Sequence, residues 1–390
     1  MHCVWKNSKA LFQYALLFIM IAYWPAWLIG QGVSRILILA MLFLWFAYKK
    51  KIYVSREMIL ILLGLLFSYF LSMIFGGINI LIDIGKILSI TICFLFCGLM
   101  RQETFIERYK NLLFFITCYS LITFALFYLA PSIFDHLPMI EGTAPVANAF
   151  FSLIPVTMKE YFRNFGCWQE PGMYCVYLSV AFVFELFCTD EVKLKRILII
   201  ILAYITTFST SGYVVGAVLL ITFGARLVLD KKEMTKRSRR IYMIWLLIAV
   251  VGILYSYFFG FLSQKNYVFL KLQSAGRNIK STSWRLRAIR IAINLIKQYF
   301  PFGSGSEITA EYLIEGTILT ATPLNWFAFY GFLFGLIMNL GIIFFSKKVG
   351  KHLIVSLGIW IALIGVTMAQ EMSCTYLMLI LVFYSLNMKK

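Results

Sequence analysis

A chain of 390 residues that is 61% hydrophobic and only 14% charged cannot clothe a water-soluble surface of its size, and its mean hydropathy of +0.85 points the same way. The composition is that of an all-α polytopic membrane protein forming a single integral membrane domain over 1–390. A net charge of +19 would speak for nucleic acid in a soluble chain, but here it is what the positive-inside rule asks of many cytoplasmic turns, so nucleic-acid binding is set aside.

A helix needs about 20 apolar residues to cross a bilayer core. Taken in order, the chain offers twelve such spans: 11–30, 34–48, 57–75, 81–100, 111–130, 172–189, 197–209, 213–229, 241–260, 322–345, 352–369 and 374–388. The first follows MHCVWKNSK without a small-residue cleavage site and reads as a span, not a removed signal peptide. The ends and turns 1–10, 49–56, 101–110, 190–196, 230–240, 346–351 and 389–390 hold 23 Lys and Arg, whereas the short turns 31–35, 76–80, 209–212 and 370–373 hold only Arg35. That asymmetry places both termini in the cytoplasm.

In the fourth span Asp83 and Lys86 lie three apart on one helix face, either pairing with each other or lining a substrate path. The outer loop 131–171 carries Asp135, His136 and Glu141, then Ala144–Val156, an apolar piece broken by Pro145 and Pro155. That piece is too short to cross and reads as re-entrant or surface-lying. Arg163, Gln169 and Glu170 follow, with Trp168 among them, just before the sixth span. They are either an interfacial anchor or part of a site. The stretch 197–229 is flanked by basic residues on both sides, so it reads as a hairpin turning at Ser209–Gly212. A 13-residue arm is only about 20 Å long, which sinks the turn below the outer surface, where water or protein must surround it.

The longest polar stretch is the outer loop 261–321. Eight basic residues, Arg277, Arg285, Arg287 and Arg290 among them, precede Gly303, and Glu307, Glu311 and Glu315 follow it. Ser281–Ser283 and Pro301 bound an amphipathic helix in which Leu286, Ile289, Ile293, Ile296 and Phe300 form the apolar stripe. Arg287, Arg290 and Lys297 line the polar face, toward lipid headgroups or an anionic ligand. Arg285 projects from the apolar side toward the spans and needs an anionic partner there, a bound diphosphate or a carboxylate such as Glu170 or Glu307. The three glutamates at i, i+4, i+8 repel one another and are expected to fold back on the basic half. Eight scattered cysteines and three distant histidines give no metal-ligand spacing, so neither metal nor cofactor is expected.

In span count, loop placement and the order of these features the chain resembles the Wzy-type O-antigen polymerases, in the superfamily they share with O-antigen ligases. The resemblance is carried by Arg163–Gly166 with Glu170-Pro171, by the short-span turn Ser209–Gly212, by Arg285 followed by Pro301-Phe-Gly-Ser-Gly305, and by Asn325 with Gly331 and Gly335. Two positions depart from the ligase pattern. Thr210 and Ser211 stand where ligases carry an arginine, and Leu324 where they carry an essential histidine. The missing histidine favours the polymerase. The resemblance implies a metal-independent glycosyltransferase in a bacterial inner membrane, with two larger periplasmic loops and a periplasmic site. It would extend undecaprenyl-diphosphate-linked repeat units among membrane lipids, with a chain-length regulator as a partner. Arg285 and Arg163 would hold the diphosphate, Glu170 would act as base or orient the acceptor, and Asp135, His136 and Glu307 stand in reserve. Arg277, Arg287, Arg290, Gln169, Ser211 and Asn325 would contact substrate. An O-antigen ligase and a twelve-span lipid-oligosaccharide flippase are the alternatives. The topology is checked by reporter fusions: Ser274 is expected outside and Ser238 inside, and a cytoplasmic signal at Ser274 would overturn both span map and site.

Overall fold

The computed structural model describes residues 2–22, 31–49, 51–140, 146–155, 163–189, 191–229, 279–314 and 319–385, and these are mostly helical. In chain order the described helices are α1 (His2–Ile21), α2 (Gln31–Lys49), α3 (Arg56–Gly76), α4 (Ile80–Leu99), α5 (Gln102–Leu129), α6 (Pro171–Phe187), α7 (Leu194–Thr206), α8 (Thr210–Leu229), α9 (Ile279–Tyr299), α10 (Gly305–Ile314), α11 (Thr322–Tyr330), α12 (Phe332–Gly350), α13 (Leu353–Met368) and α14 (Tyr376–Ser385). Among the described residues six helices are long and apolar enough to cross a membrane: Gly32–Lys49, Arg56–Gly76, Ile80–Leu99, Gln102–Leu129, Thr210–Leu229 and Phe332–Gly350. Lys9–Ile21, Pro171–Phe187, Leu353–Met368 and Tyr376–Ser385 are shorter apolar helices. The expected span 241–260 and the basic segment 230–240 lie outside the described residues.

The bundle buries helices with no polar face at its centre and turns the rest outward. α6 is buried along nearly its whole length and packs against α5, α7, α8 and α13, while Leu377–Ser385 of α14 is likewise enclosed. By contrast Leu60, Phe67, Phe70, Leu81 and Ile122 project outward, an apolar exterior suited to lipid rather than water. The basic turns gather at one end. There Lys49 Nζ donates to Leu99 O at 2.5 Å, Lys348 Nζ to Gln102 Oε1 at 2.6 Å, and Tyr384 Oη to Met100 O at 2.9 Å. Glu185 also faces this end, 2% exposed and bridged to Arg196 at 2.9 Å, with Arg196 donating a second bond to Asn111 Oδ1 at 2.6 Å. Pairing and hydrogen bonding together are what make a buried carboxylate tolerable.

The opposite end departs from a row of plain spans. α7 and α8 form the expected hairpin, though the turn falls at Thr207–Ser209 and Thr210 already belongs to α8. With 13 residues, α7 rises about 20 Å, well short of a 30 Å core. The expected span 322–345 is corrected by the structure: it is two helices, broken at Gly331 (φ 91°), and the first folds back on the second. Asn339 Nδ2 reaches Pro323 O at 3.2 Å, sixteen residues back, and Gly335 lies against the Phe327 ring. α11 is therefore a short arm folded back on α12.

Segment 131–171 is also not helical throughout. After a 3-10 turn at Pro131–His136, three short antiparallel strands, β1 (Met139–Ile140), β2 (Val146–Asn148) and β3 (Leu153–Pro155), lie over the end of α5. Phe127, Phe134, Ala147, Ala149 and Ile154 close a small core of their own beneath them.

A methyl group at Gly331 would stand 2.5 Å from Phe302 O, on a backbone conformation that L-residues avoid. Gly331→Ala is therefore expected to cost about 1–3 kcal/mol and lower the detergent-solubilised melting temperature by several degrees. Gly32→Ala, where a methyl meets nothing within 4 Å, should leave melting unchanged. Equal melting of the two variants would contradict the fold-back.

Candidate functional site

The site is built on the N-terminal turn of α11. Ala321 caps it in a left-handed conformation, and Pro323 enters the first turn, where its missing N–H costs nothing. The turn is stitched to the loop between α13 and α14. Ala321 N donates to Met368 O at 3.0 Å, Thr322 Oγ1 donates to Gln370 O at 2.6 Å and accepts from Met372 N at 2.7 Å, and Trp326 Nε1 donates to Ser373 O at 2.6 Å. Asn325, 1% exposed, turns its Nδ2 toward Leu319 O at 2.8 Å, Thr320 O at 3.0 Å and Glu371 Oε2 at 2.8 Å.

Glu371 is half-buried, and its Oε1 accepts from Ser373 N at 3.1 Å. Burial raises its carboxyl above the ordinary carboxylate range. The bond from Ser373, the Lys86 ammonium and the bond from Asn325 pull the other way. Lys86 comes from α4, with Nζ 5.9 Å from the centroid of the Tyr330 ring.

From this point a continuous strip runs across the same end. The side chain of Gln370 fills the space over Gly172, so Glu170-Pro171-Gly172, which opens α6, adjoins the Glu371 loop. One turn on, Cys175 Sγ reaches Thr207 Oγ1 at 3.5 Å in the α7–α8 turn. Arg163 donates from Nε to Thr207 O and from a terminal nitrogen to Phe208 O, both at 3.0 Å. A cation thus sits at the negative C-terminal end of α7. Asn164 adds bonds from its backbone N to Thr206 O at 3.0 Å and from Nδ2 to Thr206 Oγ1 at 3.1 Å and Ser120 Oγ at 3.2 Å.

Several expected residues meet here and others do not. Asn325 is central. Arg163 holds the short-helix turn, and Ser211, half-buried, exchanges a 3.0 Å bond with Ser209 Oγ. Glu170 and Gln169 are exposed at the start of α6. Asp135, His136 and Glu307 are exposed. Arg277 lies outside the described residues.

The helix over the site required a change of phase. α9 packs on α11 through Ala288, Ala292 and Leu295, while Leu286, Ile293 and Phe300 of the expected stripe are exposed. Small alanines allow close helix approach where the larger side chains would not fit. Arg285 is exposed too, as are Arg287 and Arg290, so it is not turned into the spans as its phase implied. Arg287 lies over the Trp284 ring at 5.5 Å.

Two pairings are likewise corrected. Asp83, 1% exposed, is bound not to Lys86 but to Tyr69 Oη at 2.6 Å and Ser306 Oγ at 2.8 Å, and Ser306 Oγ in turn accepts from Asn79 N at 2.7 Å. The acidic helix α10 packs on α3 rather than back on α9. Glu371 and Gln370 were missed by the sequence reading, although a polar pair inside a four-residue turn between two apolar spans was a usable signal.

Among the described residues no three His, Cys, Asp or Glu side chains gather as a metal set would require. Comparison of the chain with protein-family models, with curated proteins and with solved structures finds no match.

Charge-assisted bonds of this kind are worth about 1.5–3 kcal/mol. Arg163→Ala is expected to lower thermal stability by that order, and Arg163→Lys, with one point charge for two carbonyls, to recover only part of it. The check is the unfolding midpoint of the purified protein. A variant as stable as the parent would show that the turn does not depend on Arg163.

Proposed function

We propose that this protein is a periplasm-facing polymerase of a bacterial inner membrane, with the twelve-span topology read from its charges. It transfers a growing glycan from a polyprenyl diphosphate to a hydroxyl of the next lipid-linked repeat unit. The observation that carries the reading is the convergence of the motifs behind the resemblance. Arg163 with Glu170-Pro171, the short-helix turn, Asn325, and the Pro301–Gly305 ending of α9 are dispersed over more than 140 residues of sequence. They come together through adjoining contacts at the end opposite the basic turns. The Pro301–Gly305 ending is bonded directly to the α11–α12 break, Phe332 N to Pro301 O at 2.7 Å and Ser304 N to Ala328 O at 2.8 Å.

The chemistry suits the residues present. A diphosphate leaves readily once its charge is met, and preorganised guanidinium groups meet it without a metal. Arg285, Arg287 and Arg290 give the exposed helix beside α11 a cationic surface for such a headgroup. Lys86 adds a cation from α4, and Arg163 one at the end of α7.

Surface polysaccharide on a gel tests the reading. Without this protein the ladder should collapse to a single repeat on the lipid core, because ligation still proceeds. A bare core with polymer held on its carrier lipid would make the protein a ligase, and a bare core with repeats trapped inside would make it a flippase. Within the polymerase reading, Arg285→Ala should abolish chain extension while the protein stays in the membrane. Arg285→Lys should rescue poorly, since lysine lacks the fork that grips phosphate.

A further inference from the structure

We infer that Glu371 is the group that receives the proton of the acceptor sugar's hydroxyl, with Asn325 and the backbone N–H of Ser373 holding its carboxylate in place. The inference rests on the polymerase reading and names the acceptor side of that same site.

Among the described carboxylates of this end, each of the others has a reason not to serve. Asp83, 1% exposed and bonded to the Tyr69 and Ser306 hydroxyls, is enclosed where no substrate reaches it. Glu170, Glu307, Glu311 and Asp135 are exposed, with nothing to hold them in one orientation toward a substrate hydroxyl. Glu371 alone among them is both reachable and largely withdrawn from water. Each of its oxygens accepts one bond, from Ser373 N on Oε1 and from Asn325 Nδ2 on Oε2. A carboxylate oxygen accepts two, so each keeps a lone pair for a substrate hydroxyl.

The support beneath it is rigid. Asn325 is itself fixed to the carbonyls of Leu319 and Thr320, and the loop is tied to α11 by Thr322 and Trp326. Nearby, Thr320 Oγ1 is buried without a hydrogen-bond partner. An unsatisfied hydroxyl near an oriented carboxylate is what a bound water would complete. Burial raises the Glu371 carboxyl, which makes its ionised form a stronger base than an exposed glutamate. The Lys86 ammonium opposes that rise and keeps the ionised form accessible.

The step balances. The acceptor hydroxyl gives its proton to the Glu371 carboxylate as its oxygen bonds to the anomeric carbon of the donor. The bond from that carbon to the diphosphate oxygen breaks, and its electron pair leaves with the diphosphate. Glu371, now neutral, returns the proton to water.

The test uses the full-length chain in liposomes, with lipid-diphosphate-linked repeat units extracted from a host strain lacking this protein. Glu371→Gln should cut turnover about 100-fold or more, the range for loss of a general base, while KM for the lipid-linked unit stays within about threefold. Because the ionised carboxylate is the active form, the wild-type rate should fall as pH drops through a carboxyl pKa above the ordinary range. The residual rate of the Gln variant should lack that acid limb. A Gln variant that polymerises at the wild-type rate, or that keeps the limb, overturns the assignment and leaves the polymerase reading standing. Wild-type protein that forms no polymer overturns both. Should the Gln variant not insert, Glu371→Asp decides. A reduced rate with a displaced acid limb supports the role, and an unmoved limb overturns it.

Discussion

Backbone that enters a bilayer without forming a spanning helix must find every hydrogen bond inside the protein. That constraint governs the end of this molecule where its motifs meet. α11 turns back on α12 within the bundle, and side chains at its two ends are bonded to neighbouring segments. Asn325 caps the carbonyls ahead of it, Thr322 and Trp326 bond the α13–α14 loop, and Asn339 reaches Pro323 O. The same rule explains Arg163, whose guanidinium supplies donors to two carbonyls where α7 stops short. The polar groups that look like a site are in large part those that a recessed, non-spanning backbone demands. A site follows where such a group keeps spare capacity, as Glu371 does.

The hairpin of α7 and α8 was legible because charge decided it: basic flanks on both sides allow only an even number of crossings. The fold-back at Gly331 was not legible. From Thr322 to Phe345 the sequence is an uncharged, mostly apolar run of spanning length, and Gly331 is one of three glycines within it. What makes Gly331 a hinge is its approach to Phe302 O, a contact between segments that no local pattern encodes. The small sheet over α5 was hidden for a similar reason. Its tight turn places Phe150 at φ 59°, at a residue type that carries no turn signal, instead of the Asn-Gly or Gly that would have announced it.

Helix phase misled at α9 because the largest apolar residues need not mark the buried face. α9 is buried on its alanines because α11 lies close, and Leu286 and Phe300 are left exposed. On α4, the i, i+3 spacing of Asp83 and Lys86 favours a pair by local geometry. Tyr69 and Ser306, from α3 and α10, offer two hydroxyl donors at 2.6 and 2.8 Å. Two short bonds in a buried place outweigh one flexible ion pair, since a carboxylate shut away from water must have its oxygens occupied. The released lysine then faces Tyr330 and contributes to the potential at Glu371.

This division of charge has a physical logic. On the proposed reading, cations at the exposed helix α9 would meet a diphosphate headgroup in contact with water, where they could attract it and let it go. An acid placed there would be quenched by the same arginines: an opposite charge nearby lowers a carboxyl pKa and weakens it as a base. Glu371 is instead set back behind α11, in a loop whose bonds come from an amide, a backbone N–H and one lysine. Burial raises its carboxyl, and the Lys86 ammonium opposes that rise. The two halves of a transfer reaction, holding a leaving anion and accepting a proton, need opposite electrostatic surroundings. The folded-back helix α11 lies between them, with the arginine-bearing helix packed on it and the carboxylate bonded to its first turn.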